Sequence, residues 1–165
     1  MKKIDFTYIY IFEKEGKYII EYLFENCLTK TNHLFYGCNA LKSLNLSKFN
    51  TKNVTYMCYM FYKCNSLENL DLSNINTEKV TDMKYMFAGC NSLIKLNLSD
   101  FNTKNVTDMW HMFSECKSII YLNLSNFNTQ NVIDMSFMFT CCILLTKKNL
   151  ISKDNKILKE FETKY

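Results

Sequence analysis

The chain has 165 residues, of which 48% are hydrophobic, with no proline, three glycines and a formal net charge of +4. This length and apolar content suit one folded domain, while the scarcity of proline and glycine argues against linkers and disordered segments. The mild charge is spread along the chain without a run of Lys or Arg, and no aromatic RNA-binding motif is present, so we expect no nucleic-acid partner.

The first 27 residues lie outside any repeat. Apolar and polar residues alternate over residues 4–12, which predicts a strand, and residues 17–24 predict a second strand. The intervening Glu-Lys-Glu-Gly sequence is typical of a turn. We therefore predict that residues 1–27 form a β-hairpin that caps the first repeat.

A 26-residue repeat occupies residues 28–146. Each repeat begins with two leucines separated by one polar residue, and this alternation predicts a short strand with one buried face. A fixed period of roughly 20–50 residues is typical of stacked repeats. The predicted fold is therefore an α/β repeat, a solenoid of about four coils. The leucines form two columns, Leu44, Leu70, Leu96 and Leu122, and Leu46, Leu72, Leu98 and Leu124.

The second half of each repeat carries apolar residues at spacings of three, three, one and three, as in Val80, Met83, Met86, Phe87 and Cys90. These spacings place the side chains on one face of a short helix or helical turn, so they predict a short helical segment in every coil. Its first turn is expected to be capped by the threonine or aspartate that follows the valine.

An Asn-Thr pair follows each strand, as at Asn76 and Thr77. Both side chains satisfy nearby backbone groups where a chain turns. We predict that the asparagine column forms a hydrogen-bonding ladder inside the turn. The alternative left open is that asparagine is merely frequent in this chain.

The repeat pattern decays near the C-terminus. Leu150 is expected to continue the column of Leu124, and Lys148 stands where a column leucine is expected. Asp154 is predicted to cap a short helix, and residues 147–165 are predicted to form a closing cap. The apolar side of that helix carries Ile157, Leu158 and Phe161.

The consensus LxxLxLSxFNTxNVTDMxxMFxxC runs through residues 34–145. It resembles the BspA-like leucine-rich-repeat family of surface proteins, which is widespread in bacteria and protists. The resemblance implies a leucine-rich-repeat solenoid that acts in attachment or protein binding. It implies exposure at the cell surface, and no catalytic residue is carried over.

Columns that vary between repeats are predicted to be exposed, and a protein partner is expected to bind there. The first candidate is the strand face, formed by Ile94, Lys95, Asn97, Ile120, Tyr121 and Asn123. The second candidate is an aromatic cluster on the predicted helical side, in which four residues share one column and Trp110 stands beside it. The four residues of the column are Tyr59, Tyr85, His111 and Phe137. Exposed aromatic residues favour interfaces, but large side chains also half-bury at the edge of a core, so both interpretations stay open for this cluster.

Five of the eight cysteines share one column, namely Cys38, Cys64, Cys90, Cys116 and Cys142. Parallel inward side chains have poor disulfide geometry, and zinc sites prefer close cysteine pairs with histidines. We therefore expect reduced thiols packed as small apolar residues, with no metal and no cofactor. We interpret His33 and His111 as lying in different columns, which disfavours a catalytic role.

These features predict a non-enzymatic protein-interaction module that binds a partner through its strand face. The alternative is a structural or adhesive component of a larger assembly that docks through its ends or its aromatic cluster. Acidic residues interrupt the apolar core that a signal peptide would need, and no stretch approaches the ~20 apolar residues of a membrane span. A cytoplasmic location without a transmembrane segment is the expectation from these residues.

Overall fold

A computed structural model of the chain describes residues 28–164, so the predicted hairpin at residues 1–27 lies outside it. The described part contains five short strands and one helix. They are β1 (Ser43–Asn45), β2 (Asn69–Asp71), β3 (Lys95–Asn97), β4 (Tyr121–Asn123), β5 (Leu150–Ile151) and α1 (Asn155–Phe161).

The strands form two parallel sheets, one with the order β1-β2 and one with the order β3-β4-β5. Leu44 pairs with Leu70, and Leu96 pairs with Leu122. The predicted strands and their parallel 26-residue register are therefore confirmed for these two pairs. No ladder joins β2 to β3 within residues 28–164, which is why the strands divide into two sheets.

The opposite side of each unit, which we call the turn side, is continuous from the first described unit to the last. Parallel bridges connect residues 26 positions apart, in the series Lys30, Tyr56, Asp82, Asp108 and Asp134. Next to them, every second N–H group donates to a carbonyl of the following unit. Examples are Tyr59 to Lys84 at 3.0 Å and Phe61 to Met86 at 2.9 Å.

The predicted helical segment in each coil is wrong. The turn side consists of consecutive turns, in which Met60 N–H donates to the carbonyl of Met57, three residues back, at 3.3 Å. An α-helix needs successive bonds to the fourth residue back, and here every second N–H group is used between units instead. Asp82 therefore caps no helix, and its side chain accepts from Lys84 N–H at 3.0 Å.

Two residues in each unit have left-handed backbone, with φ between 54° and 76° on the turn side. This conformation interrupts any helix and costs roughly 1–2 kcal/mol for a residue other than glycine. The hydrogen bonds between units hold it in place. The residues are His33, Gly37, Tyr59, Lys63, Tyr85, Gly89, His111, Glu115, Phe137 and Cys141.

The core lies against the turn side and is built from like residues stacked on like. The rings of Phe61 and Phe87 stack with centroids 5.5 Å apart, as do those of Phe87 and Phe113. All three side chains are fully buried, which stabilises the fold by about 1.5–3 kcal/mol each. Leu96 and Leu122 are buried as predicted, whereas Leu70 is half-buried.

The cysteine column is buried from Cys64 onward, and every cysteine within residues 28–164 is a free thiol, as predicted. The structure adds a role that the sequence did not indicate, because each buried thiol of this column donates to a phenylalanine carbonyl of the preceding unit. Cys64 Sγ donates to Phe35 O at 3.0 Å and Cys90 Sγ to Phe61 O at 3.2 Å. Burial raises the pKa of Cys64 to about 12.

The asparagine column hydrogen-bonds inside the turn as predicted, but the ladder that links one unit to the next is formed by threonine. Buried Thr77 donates its hydroxyl to Asn102 O at 3.0 Å and accepts from Asn102 N–H at 2.8 Å. Asn76 instead forms a local turn, in which its Oδ1 accepts from Glu78 N–H at 3.0 Å. A hydroxyl both donates and accepts, so one threonine satisfies both backbone groups of a residue in the next unit.

The end of the array departs from the expected register. Leu150 pairs with Leu122 and not with the column of Leu124, so the spacing here is 28 residues. Two extra residues precede β5, and exposed Lys148 lies among them. The expected register returns at Asp154, whose carboxylate accepts from the Thr129 hydroxyl at 2.8 Å.

The predicted C-terminal helix is confirmed as α1, with Asp154 as its N-cap. The carboxylate of Asp154 accepts from the N–H groups of Lys156 and Ile157. Burial opposes ionisation of Asp154, but the hydrogen bonds outweigh it and lower its pKa. Phe161 packs edge-on against Phe139 at 5.5 Å and ends the phenylalanine stack. The division into hairpin, repeats and closing cap stays a prediction.

Candidate protein-binding surfaces

The strand face presents a pair of exposed isoleucines on neighbouring units. Ile94 is 48% exposed and Ile120 is 38% exposed, and each directly precedes a strand. Lys95 and Tyr121 are register partners in β3 and β4, with Lys95 exposed and Tyr121 half-buried. Lys95 points outward because Leu96, the next residue of the strand, points inward. Tyr121 has the same orientation as its register partner Lys95.

Asn97 and Asn123 are the next register partners on this face. Their side-chain oxygens accept from the N–H groups of Ser99 and Ser125, at 3.2 and 3.0 Å. These bonds turn the chain away from the strand, so the asparagines mark the border of the surface. The structure thus brings all six predicted strand-face residues together on β3 and β4 and the residues just before them.

A shallow groove opens where β2 and β3 are not paired. Its lining includes the acidic residues Glu68 and Asp71 and, from the other unit, Ile94 and Lys95. Hydrogen bonds from Ser73 lower the pKa of Asp71. The remaining lining residues are Ser43, Leu44, Asn45, Asn69 and Leu70.

Sequence reasoning missed this groove, because it depends on hydrogen bonds that do not form. One signal was available in the unit that contains β2. Ile75 stands there in a core column that holds Phe49 and Phe101 in the neighbouring units, and Asn74 beside it has left-handed backbone with φ 76°.

The aromatic column is longer than the four predicted residues indicated. Its five rings stack face to face at centroid distances of 4.7–5.1 Å. The prediction that His33 and His111 lie in different columns is wrong, since they are 78 residues, or three repeats of 26, apart. The column consists of His33, Tyr59, Tyr85, His111 and Phe137.

Tyr85 lies at the centre of this column. Trp110 packs edge-on against it at 5.1 Å and Tyr62 does so at 5.5 Å. Because the ring faces contact one another, the surface shows mainly ring edges, and Tyr85, Trp110 and His111 are each half-buried. Burial lowers the pKa of His111 against the opposing effects of Asp134 and Glu115.

No three His, Cys, Asp or Glu side chains within residues 28–164 are grouped to hold a metal ion. Burial, together with the charge of Asp82, raises the pKa of Cys58 to about 11, which disfavours the nucleophilic thiolate.

Within residues 28–164, α1 has seven residues, and no helix has the length and apolar character needed to cross a membrane.

The geometry defines a class of protein made of short parallel strands repeated along the chain. A sequence profile of the family described as "Mycoplasma protein of unknown function, DUF285" matches residues 27–153, and the chain belongs to this family. No curated protein and no solved structure matches the chain.

Proposed function

We propose that this protein is a non-enzymatic protein-binding module, a leucine-rich-repeat solenoid of the BspA-like type that holds a partner on its strand face. The observation that carries the proposal is the exposure of Ile94 and Ile120 on neighbouring units, beside Lys95 and Tyr121. Apolar and aromatic groups at the centre of a surface are the residues that dominate binding energy between proteins.

The groove next to this surface suggests the chemistry of the partner. Glu68 and Asp71 line the groove together with the apolar Ile94. A complementary partner presents an apolar side chain to Ile94 and a basic side chain to the two carboxylates, since complementary charge favours association and specificity. The repeated, hydrogen-bonded frame beneath the surface reduces the ordering cost of binding.

A second candidate function is a structural or adhesive component that docks through its ends or its aromatic column. The stacked rings favour it, because Phe137 ends the column with a side chain that is 56% exposed. Aromatic residues bury a large area at small entropic cost when they enter an interface.

Proximity labelling in the source cell with the full chain separates these functions. The variant carrying both Ile94→Asp and Tyr121→Asp should lose the labelled partner while its far-UV circular dichroism stays unchanged. The matched control is Ile143→Asp, an equally polar change at an exposed isoleucine that is not one of the strand-face residues. Retention of the partner by the double variant would reject the strand face, and loss in Phe137→Asp instead would favour the second function.

A further inference from the structure

The junction between the units of β2 and β3 is closed on the turn side and open on the strand side. On the turn side, Tyr85 N–H donates to Trp110 O at 2.9 Å, as between the other units. On the strand side, no ladder joins the two strands within residues 28–164. The junction is therefore a cleft that widens toward the strand side. The groove there has a volume of about 620 Å³, within the roughly 300–1,000 Å³ that is usual for binding clefts.

Backbone groups along the cleft lack the partners that they have between β3 and β4. There, Ile120 N–H donates to Ile94 O at 2.9 Å. The equivalent bond in the cleft would run from Ile94 N–H to Glu68 O, and it does not form within residues 28–164. The bond from Leu72 N–H to Asn97 O is absent in the same part of the chain. The cleft therefore offers unused donors and acceptors from both strands.

One position in the sequence explains why this junction is open. In the two flanking junctions an asparagine side chain fastens the end of the strand. Asn74 Nδ2 donates to Ser47 O at 3.2 Å, and Asn126 Nδ2 donates to Ser99 O at 2.5 Å. The same column holds Asp100 at the cleft, and an ionised carboxylate has no hydrogen to donate to a carbonyl.

The lining of the cleft is acidic, although the chain has a formal net charge of +4. Glu68, Asp71 and Lys95 line the groove on the strand side. A second groove at the same junction is lined by residues that include Glu78 and Asp100. Four carboxylates and one ammonium group thus line the two grooves. Charge complementarity favours a basic occupant.

We propose that the cleft receives an extended basic segment of the protein partner. The proposal rests on the proposed protein-binding function and describes the partner of that function more closely. An extended segment presents N–H groups and carbonyls along both edges, so it supplies the groups that β2 and β3 lack, as in other cases of strand addition. Its side chains alternate between two faces, which places apolar residues beside Leu70 on the inner face and basic residues beside Asp71 on the outer face.

Fluorescence anisotropy of the full chain with two labelled hexapeptides tests the cleft. The wild-type chain should bind a peptide of alternating lysine and valine, and it should not bind a peptide of alternating glutamate and valine. Asp100→Asn supplies the missing donor, so it should close the cleft and weaken binding of the lysine–valine peptide by about tenfold or more. Asp100→Ala is the matched control. It removes the same exposed charge without adding a donor, and it should weaken binding by about threefold at most.

Amide hydrogen exchange followed by NMR separates strand addition from a contact of side chains alone. The N–H groups of Leu72 and Ile94 should exchange rapidly in the free wild-type chain and slowly in the complex with the lysine–valine peptide. Both should also exchange slowly in free Asp100→Asn, because the restored junction pairs them. Peptide binding without protection of these two groups would overturn the proposal.

Proximity labelling in the source cell separates this proposal from the proposed function. Tyr121 does not line the groove, so Tyr121→Asp should weaken labelling of the cell partner and keep binding of the lysine–valine peptide. If Asp100→Asn keeps the labelled partner, the cleft is rejected while the strand-face function stands. Equal binding of the two peptides by the wild-type chain, or no binding below about 1 mM, would also overturn the cleft. Loss of partner and peptide together in Asp100→Asn, with unchanged far-UV circular dichroism, would support it.

Discussion

The strand side and the turn side of this protein differ in continuity. On the strand side, three-residue strands pair in two groups, and the ladder is absent between β2 and β3. On the turn side, bridges run without a break from Lys30 to Asp134. The fully buried phenylalanines also pack against the turn side. The irregular backbone of the turn side therefore holds the units together, while the regular strands form the more variable surface.

The largest difference in unfolding free energy is expected between Phe87→Ala on the turn side and Leu70→Ala on the strand side. Phe87 is fully buried in the stack, so its truncation should lower the free energy of unfolding by about 3–5 kcal/mol. Leu70 is half-buried beside the groove, and its truncation should cost about 1–2 kcal/mol. Urea unfolding followed by circular dichroism measures both values. Equal losses would refute the greater contribution of the turn side.

The threonine ladder is tested by Thr77→Val, with Thr77→Ser as the control. Valine keeps the shape but removes both bonds to Asn102, leaving buried backbone groups unsatisfied at a cost of about 1–3 kcal/mol. Serine keeps the hydroxyl and loses one methyl group, worth roughly 0.8 kcal/mol. If urea unfolding ranks serine below valine, the hydroxyl is not the stabilising group.

The buried thiols predict loss of stability at alkaline pH. The pKa of Cys64 rises to about 12 in the folded chain, so below the ordinary thiol pKa of ~8.5 its stabilisation is fully present. Above that pH the unfolded chain loses the proton first, and unfolding becomes easier by about 1.4 kcal/mol per pH unit until the folded thiol ionises.

Urea unfolding between pH 7 and pH 10 of wild type and Cys64→Ala measures this effect. The variant should lose a constant amount of stability from its cavity, and its pH slope should be shallower by one proton. Parallel slopes for the two proteins would show that this thiol titrates normally in the folded state.

The smallest effect is expected for Lys84→Met on the surface of the turn side. Lys84 lies 3.4 Å from Asp82 and 3.7 Å from Asp108, and all three side chains are partly exposed. Such pairs contribute about 0–1 kcal/mol, and salt reduces the contribution further. If urea unfolding showed a loss of more than ~2 kcal/mol in the free energy of unfolding, these ion pairs would contribute strongly to holding the units together. The hydrogen bonds between units would then not be the main cause of their cohesion.

The strands were predictable because their signal is local. In Leu96-Asn97-Leu98 the period of two places both leucines inward, and the 26-residue repeat sets the pairing of Leu96 with Leu122. The same reasoning failed at Leu150, where two added residues shift the strand without a change in apolar character. Because Leu122 and Leu124 are both buried leucines, the apolar pattern alone does not decide which of them pairs with Leu150.

The turns were not predictable from apolar spacing. Met83, Met86 and Phe87 fit one face of a helix as well as they fit two consecutive turns. The left-handed backbone at Tyr85 distinguishes the consecutive turns from a helix. The sequence has tyrosine there, however, and not the glycine that usually marks this conformation. For the candidate site, exposure of Ile94 followed from variation between repeats, whereas the groove depends on a missing ladder.

The direction of the turn-side hydrogen bonds has an electrical consequence. Most of them, like the bond from Phe61 to Met86 and the bond from Phe87 to Met112, carry the N–H of one unit toward the carbonyl of the next. Peptide dipoles aligned in this way add together, as they do in a helix. Within residues 28–164 the aligned bonds therefore place a positive backbone pole near Phe137 and a negative one near Lys30, and each further unit would lengthen this dipole.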